Sequence, residues 1–169
     1  VFEDQFEPGA TLDLIERERV THVIGWPHMA KALTEHPSFG ERDLGSVRGG
    51  SLDALLPAHL RVGDPELRAN SLGMTESLGP HSIEMIGSQL PPEKRGSFGR
   101  SVPGVEHRIV DPLSSKDKPP GEMGEIWIKG YSLMLGHLKR SRRDVFTRDG
   151  WFRTGDAGYL DADGHLFFK

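Results

Sequence analysis

Gly124-Glu125-Ile126-Trp127-Ile128-Lys129-Gly130 carries a β-branched and aromatic run between two glycines, the composition of a short strand bounded by turns. The same grammar extends outward on both sides. Upstream, Glu106 to Val110 alternates polar and apolar residues; downstream lie Trp151-Phe152-Arg153 and an Asp163-Gly164 pair that signals a closing hairpin. This pattern predicts antiparallel β structure over residues 93–169, as a small sheet or distorted β-barrel.

Residues 1–92 alternate helical and extended signals instead, as a mixed α/β unit does. Leu12, Ile15 and Arg19 share a helical face behind Thr11 as N-cap, with Glu16 and Arg19 as an (i, i+3) pair. Thr21-His22-Val23-Ile24-Gly25-Trp26 then reads as a strand. Pro27 suits the first turn of a helix through Met29, Ala32 and Leu33 that Pro37 ends. Further strands are predicted at Ser46-Val47-Arg48 and Leu67-Arg68-Ala69-Asn70-Ser71, each running into a Gly-containing turn. Loops at strand ends are where such sheets bind ligands.

The composition narrows the classes of function. A net charge of -4 over 169 residues offers no field for a nucleic-acid partner. The absence of cysteine removes disulfides, thiolate metal sites and thioester chemistry on the protein itself. No apolar run approaches the roughly 20 residues that span a bilayer, and no basic-then-apolar leader opens the sequence, so a cytoplasmic protein is expected. A first residue other than Met, and a last stretch, His165-Leu166-Phe167-Phe168-Lys169, that stops inside a strand pattern, suggest a piece of a longer chain. Lys139-Arg140-Ser141-Arg142-Arg143, a concentrated basic cluster, reads as a solvated helix start.

Three segments could carry chemistry. In Asn70-Ser71-Leu72-Gly73-Met74-Thr75-Glu76 a strand runs into a Gly turn, a hydroxyl and a carboxylate. Gly permits close backbone approach, Thr75 can bond phosphate oxygens and Glu76 can hold a divalent cation, although the same residues also suit a helix cap. In Asp149-Gly150-Trp151-Phe152-Arg153-Thr154-Gly155-Asp156 an aromatic strand leads to a tight turn presenting Asp156, whose two oxygens can accept from vicinal hydroxyls or simply close a turn. Gly49-Gly50-Ser51 would let a flat base lie against the backbone, or would form a helix-entry turn.

Taken together and in this order, Gly73-x-Thr75-Glu76, the 124–130 motif and Arg153-Thr154-Gly155-Asp156 closely resemble the core motifs of the adenylate-forming superfamily of acyl-CoA synthetases, peptide-synthetase adenylation domains and firefly luciferase. Residues 10–26 look like the family's approach to its substrate pocket, and residues 96–104 like the entry into its barrel. The resemblance covers the middle to late part of the family's large N-terminal domain. It implies a two-step reaction: ATP and a carboxylic acid give an acyl-adenylate and pyrophosphate, and the thiol of coenzyme A takes the acyl group.

By that resemblance Gly49, Gly50 and Ser51 line the adenine pocket, Asn70 faces the adenine edge, and Gly73 belongs to the same nucleotide loop. Thr75 touches phosphate, Glu76 ligates Mg²⁺ and Asp156 binds the ribose. Trp26, His28 and Met74 lie near the acyl pocket. Leu72 stands where the family usually has an aromatic residue, so stacking of about 0.5–1.5 kcal/mol on the base is missing. The family's Gly- and Ser/Thr-rich phosphate loop and its small C-terminal domain with a catalytic Lys have no counterpart in these residues, so this stretch alone is expected to be inactive. The resemblance implies an acyl-CoA synthetase for fatty or related acids. An aryl-acid ligase, a peptide-synthetase adenylation domain, and a non-catalytic binding module that keeps the fold are the alternatives.

Overall fold

The computed structural model describes residues 5–85 and 88–169, which divide into two compact units, one ending at Gly63 and the other beginning at Asp64. The sequence pattern put the change of architecture at residues 92/93. The division comes earlier because the strands that follow Asp64 are antiparallel and pair with one another and with a strand at residues 100–101.

The first unit is a small α/β arrangement. Helix α1 (Pro8–Arg17) is capped by Glu7, whose carboxylate accepts from the amides of Gly9 and Ala10, while Pro8 supplies a first-turn residue with no amide to satisfy. Thr11, the N-cap expected from the sequence, therefore lies within the first turn. The expected Glu16–Arg19 pair is also replaced: Glu16 bonds the Arg42 guanidinium at 3.1 Å and the Asp43 amide at 2.8 Å, and Arg19 pairs with Asp43. Strand β1 is only His22–Val23, shorter than expected. Helix α2 (Pro27–Thr34) begins at Pro27 as predicted and stops short of Pro37. Strand β2 (Gly49–Gly50) runs parallel to β1, with His22 opposite Gly49. Residues 46–48 form the turn before it, not the predicted strand. Leu12, Ile15, Leu33, Val47, Leu52, Leu55 and Leu56 close the core under both helices.

The second unit is antiparallel β structure that curls into a half-barrel. The strand predicted over residues 67–71 is displaced: Leu67 ends a 3-10 turn (Pro65–Leu67), and β3 (Ser71–Met74) begins only at Ser71. It pairs with β4 (Gly79–Ile83), which pairs with β5 (Arg100–Ser101). A second sheet contains β6 (Val105–Val110), β7 (Gly124–Gly130), β8 (Phe152–Leu160) and β9 (Leu166–Phe168) in that order. A short helix, α3 (Arg142–Val145), precedes β8 and starts within the basic cluster as predicted, with Ser141 as its N-cap. The period-2 alternation of β7 sorts its side chains. Ile126 and Ile128 join Val105, Ile109 and Leu166 on one face, with Leu72 and Met74 of β3 packed against them. Trp127 points to the other face with Val110 and Trp151. The β8–β9 hairpin closes through Gly164 at φ +80°, and Asp161 holds its turn by accepting from the amides of Asp163 and His165. No helix among the described residues is long and apolar enough to cross a membrane.

Candidate functional site

Asp156 is presented by a bulge, not by the tight turn expected from the sequence. The Arg153-Thr154-Gly155-Asp156 segment lies inside β8, where the register against β7 shifts between Glu125 and Trp127. Three contacts shape it. Gly155 takes φ +79° and donates its amide to the Glu125 carboxylate at 3.0 Å; the Thr154 hydroxyl donates to the Ile126 carbonyl at 2.6 Å; and the Asp156 amide donates to that same hydroxyl at 3.0 Å. The bulge leaves the Asp156 carboxylate half-buried and without a hydrogen bond among the described residues.

Glu76 comes from the other sheet. Strand β3 ends in the 3-10 turn Thr75–Ser77, whose return is fixed by the buried Ser77 hydroxyl, bonded to Met74 and to the Gly79 carbonyl, and by Leu78 at φ +56°. Gly73 permits this hairpin. A Cβ there would meet the Gly79 carbonyl oxygen at 2.5 Å, so the close approach made by Gly73 is to the neighbouring strand. The Met134 amide donates to the Glu76 carbonyl at 2.8 Å and ties the turn to the segment after β7.

The fold thereby brings Glu76 close enough to Asp156 for their charges to interact. Burial raises the Asp156 carboxyl above the usual aspartate value, and the Glu76 charge raises it further. Neither carboxylate, nor the hydroxyl of exposed Thr75, has an internal hydrogen bond among the described residues. Several other carboxylates of this unit do have a cation: Asp161 and Asp163 share Lys94, Asp64 and Glu66 share Arg95, and Asp117 holds Arg108. Two neighbouring carboxylates with no internal cation are an arrangement a divalent cation or a group of hydroxyl donors would relieve.

The remaining residues read from the sequence fall as follows. Asn70 is exposed beside β3, its side-chain oxygen accepting from the Ser71 amide at 2.9 Å. Leu72 and Met74 face the apolar cluster, whereas Ser71 and Gly73 alternate to the exposed side. In the first unit, the Ser51 hydroxyl accepts from the Gly25 amide at 2.9 Å and donates to the Gly25 carbonyl at 2.7 Å, joining the 49–51 segment to the chain at Trp26. Gly50 takes φ +122°, and a Cβ there would meet the Val23 carbonyl oxygen at 1.9 Å. Gly49 lies beside the His22 ring. Trp26, 70% exposed, and His28, also exposed, stand at the start of α2. Glu125, Thr154 and Met134, which shape or brace the site, were not singled out in the sequence. Glu125 and Thr154 lie inside quoted motifs, but Met134 carries no signal.

Comparison with known proteins gives concordant results. Residues 1–138 match the family described as AMP-binding enzyme. A feruloyl-CoA synthase from Amycolatopsis sp. is 37% identical over 174 residues, covering 98% of this chain and 34% of that protein. A 4-coumarate--CoA ligase-like 6 from Oryza sativa subsp. japonica is 33% identical, covering 96% and 28%. The chain spans about a third of the length of these relatives. Among solved structures, the amide bond synthetase McbA from Marinactinospora thermotolerans superposes with a TM-score of 0.73 at 32% identity, over 98% of this chain and 35% of that one. The N-terminal domain of FACL13 from Mycobacterium tuberculosis gives 0.76 at 26% identity, over 99% and 42%. ATP-bound MatB from Rhodopseudomonas palustris gives 0.73 at 25% identity, over 99% and 34%.

Proposed function

The chain belongs to the AMP-binding enzyme family of adenylate-forming ligases, and from that premise we propose that the intact protein activates a carboxylic acid with ATP and passes the acyl group to coenzyme A. The observation that carries the proposal is the Asp156 carboxylate, half-buried at the β8 bulge with no internal hydrogen bond among the described residues and raised by burial and by the charge of Glu76. In this reading Asp156 receives the two hydroxyls of the ribose, which suits a partly desolvated carboxylate that lacks donors of its own. Glu76 fits as a ligand of Mg²⁺ and Thr75 as a hydroxyl to a phosphate oxygen. The cation, when bound, supplies charge neutralisation at the phosphates. Gly49, Gly50, Ser51, Asn70, Leu72 and Gly73 are assigned to the adenine side, and Trp26, His28 and Met74 to the acid.

The names of the relatives turn the expected substrate from a fatty acid toward an aryl-substituted propenoic acid such as ferulate or coumarate. A second reading, transfer of the acyl group to an amine, is favoured by the likeness to an amide bond synthetase. Acid-dependent ATP–pyrophosphate exchange across a panel of aryl and alkyl acids separates the acids. Product analysis with coenzyme A or an amine separates the acceptors.

The Asp156 assignment has a direct test. Each hydrogen bond to a charged group contributes about 1.5–3 kcal/mol, so Asp156→Ala in the intact enzyme weakens ATP use at least about tenfold. Wild type discriminates against 2′-deoxy-ATP and the variant loses most of that discrimination. Equal rejection of 2′-deoxy-ATP by both proteins would make Asp156 a structural residue and refute the ribose assignment.

A further inference from the structure

Outside the Glu76–Asp156 site, an open cavity of about 750 Å³ is lined by Arg142, Arg143, Phe146, Thr147, Arg148 and Arg153. Four of the six residues are guanidinium-bearing and none is acidic. Five arginines elsewhere in the chain have carboxylate partners: Arg17 with Glu18, Arg19 with Asp43, Arg42 with Asp13 and Glu16, Arg95 with Asp64 and Glu66, and Arg108 with Asp117. Among the described residues, Arg142, Arg143, Arg148 and Arg153 have no carboxylate partner. The two acids nearest in sequence are committed to the local backbone and hydroxyls: Asp144 accepts from the Ser141 amide at 3.1 Å, and Asp149 is held by the Thr147 hydroxyl.

Two of the guanidinium groups are also braced. Arg142 donates to the carbonyls of Met134 and Leu135 and lies 3.7 Å from the centre of the Phe146 ring; Arg153 projects from β8 over Trp127 at 5.3 Å. Four like charges converging without a counter-ion repel one another, and a bound anion removes that cost. Guanidinium forks match the oxygen geometry of phosphate, and a cavity of this size is in the range that holds small molecules. The concavity favours a discrete phosphate group over an extended polyanion, and the net charge of -4 argues against a general polyanion-binding face.

We propose that this cavity binds a phosphate or diphosphate group of a soluble small molecule, at a site separate from Glu76 and Asp156. The proposal does not rest on the adenylation reading, and its test has no activity readout. Inorganic pyrophosphate is titrated calorimetrically, without divalent cation, into the intact protein, into Arg143→Glu/Arg148→Glu, and into Glu76→Gln. The expected result is saturable binding to wild type and to Glu76→Gln, weakened at least about tenfold by the charge reversal. Arg143→Gln/Arg148→Gln serves as a second variant should the reversal disturb folding, and it should weaken binding in the same direction. No binding to wild type overturns the proposal, as does undiminished binding to both arginine double variants. Loss of binding in Glu76→Gln also overturns it, by assigning the anion to the Glu76–Asp156 site. Co-sedimentation with phosphatidylserine vesicles in the absence of any pyrophosphate binding overturns it as well, in favour of a membrane surface.

Discussion

The buried histidine pair makes the second unit sensitive to acid. His81 of β4 and His107 of β6 meet through Nδ1 and Nε2 at 2.8 Å with their rings edge to face, and the other nitrogen of His107 is buried without a partner. One proton shared between the rings satisfies the bond, so a further proton places an unpaired charge in the interior. Burial lowers His81 from 6.5 to about 4; burial and the charge on His81 lower His107 to about 4. Both folded-state values lie below the unfolded value. The unfolded chain therefore binds more protons between pH 6.5 and 4, and the stability present above pH 6.5 is lost as pH falls through that window. Between about pH 7.5 and 5 the loss is about 2 kcal/mol for each ring, or up to about 4 kcal/mol for the pair. Urea melts across this range, followed by the fluorescence of Trp127 and Trp151, both buried in the same unit, measure it. Replacing both partners by apolar residues of similar size is close to neutral in stability, so His81→Leu/His107→Leu should stay folded and lose most of this pH slope. An unchanged slope in the folded double variant would refute the argument.

Two further substitutions probe the other elements. Glu76→Gln in the intact enzyme should lower pyrophosphate exchange by about tenfold to a hundredfold while leaving coenzyme A affinity unchanged, because it keeps the shape and removes the charge of the proposed cation ligand; an unchanged exchange rate in the folded variant removes Glu76 from the site. Gly50→Ala should destabilise the first unit by about 2 kcal/mol or more, since alanine resists the positive φ and its Cβ meets the Val23 carbonyl. Chemical denaturation checks this, and a wild-type midpoint would show that β1 and β2 can part without cost.

Short-range physics was legible in the sequence, and pairings across distance were not. The alternation in β7, the helix start in the basic cluster at 139–143 and the turn at Asp163 and Gly164 each depend on a few neighbouring residues, and the structure keeps all three. Thr11 lost the N-cap to Glu7 because Pro8 at the next position fixes where the helix begins. Glu16 left Arg19 because Arg42 and the Asp43 amide offer it a hydrogen-bonded fork. Gly155 reads as a turn residue until Glu125 on the adjacent strand takes its amide, and the same positive φ then makes a bulge within a continuous strand. His81 and His107 carry no local signal at all, since only the stacking of two sheets brings them together.

The motifs pointed to Glu76 and Asp156 as candidates, but their spacing could not say that the fold brings the two charges within reach of each other. Their approach follows from how β3 packs. Strand alternation turns Leu72 and Met74 onto the cluster formed by Val105, Ile109, Ile126, Ile128 and Leu166, and the turn that carries Glu76 follows directly from Met74. The Met134 amide then fastens the Glu76 carbonyl to the segment between β7 and α3, while Ile126 of the same cluster accepts the Thr154 hydroxyl that shapes the Asp156 bulge. Leu72 thus helps dock the strand that leads into the Glu76 turn. An aromatic ring placed there could not be judged by base stacking alone, because its larger side chain would have to fit the same apolar contact without shifting Glu76.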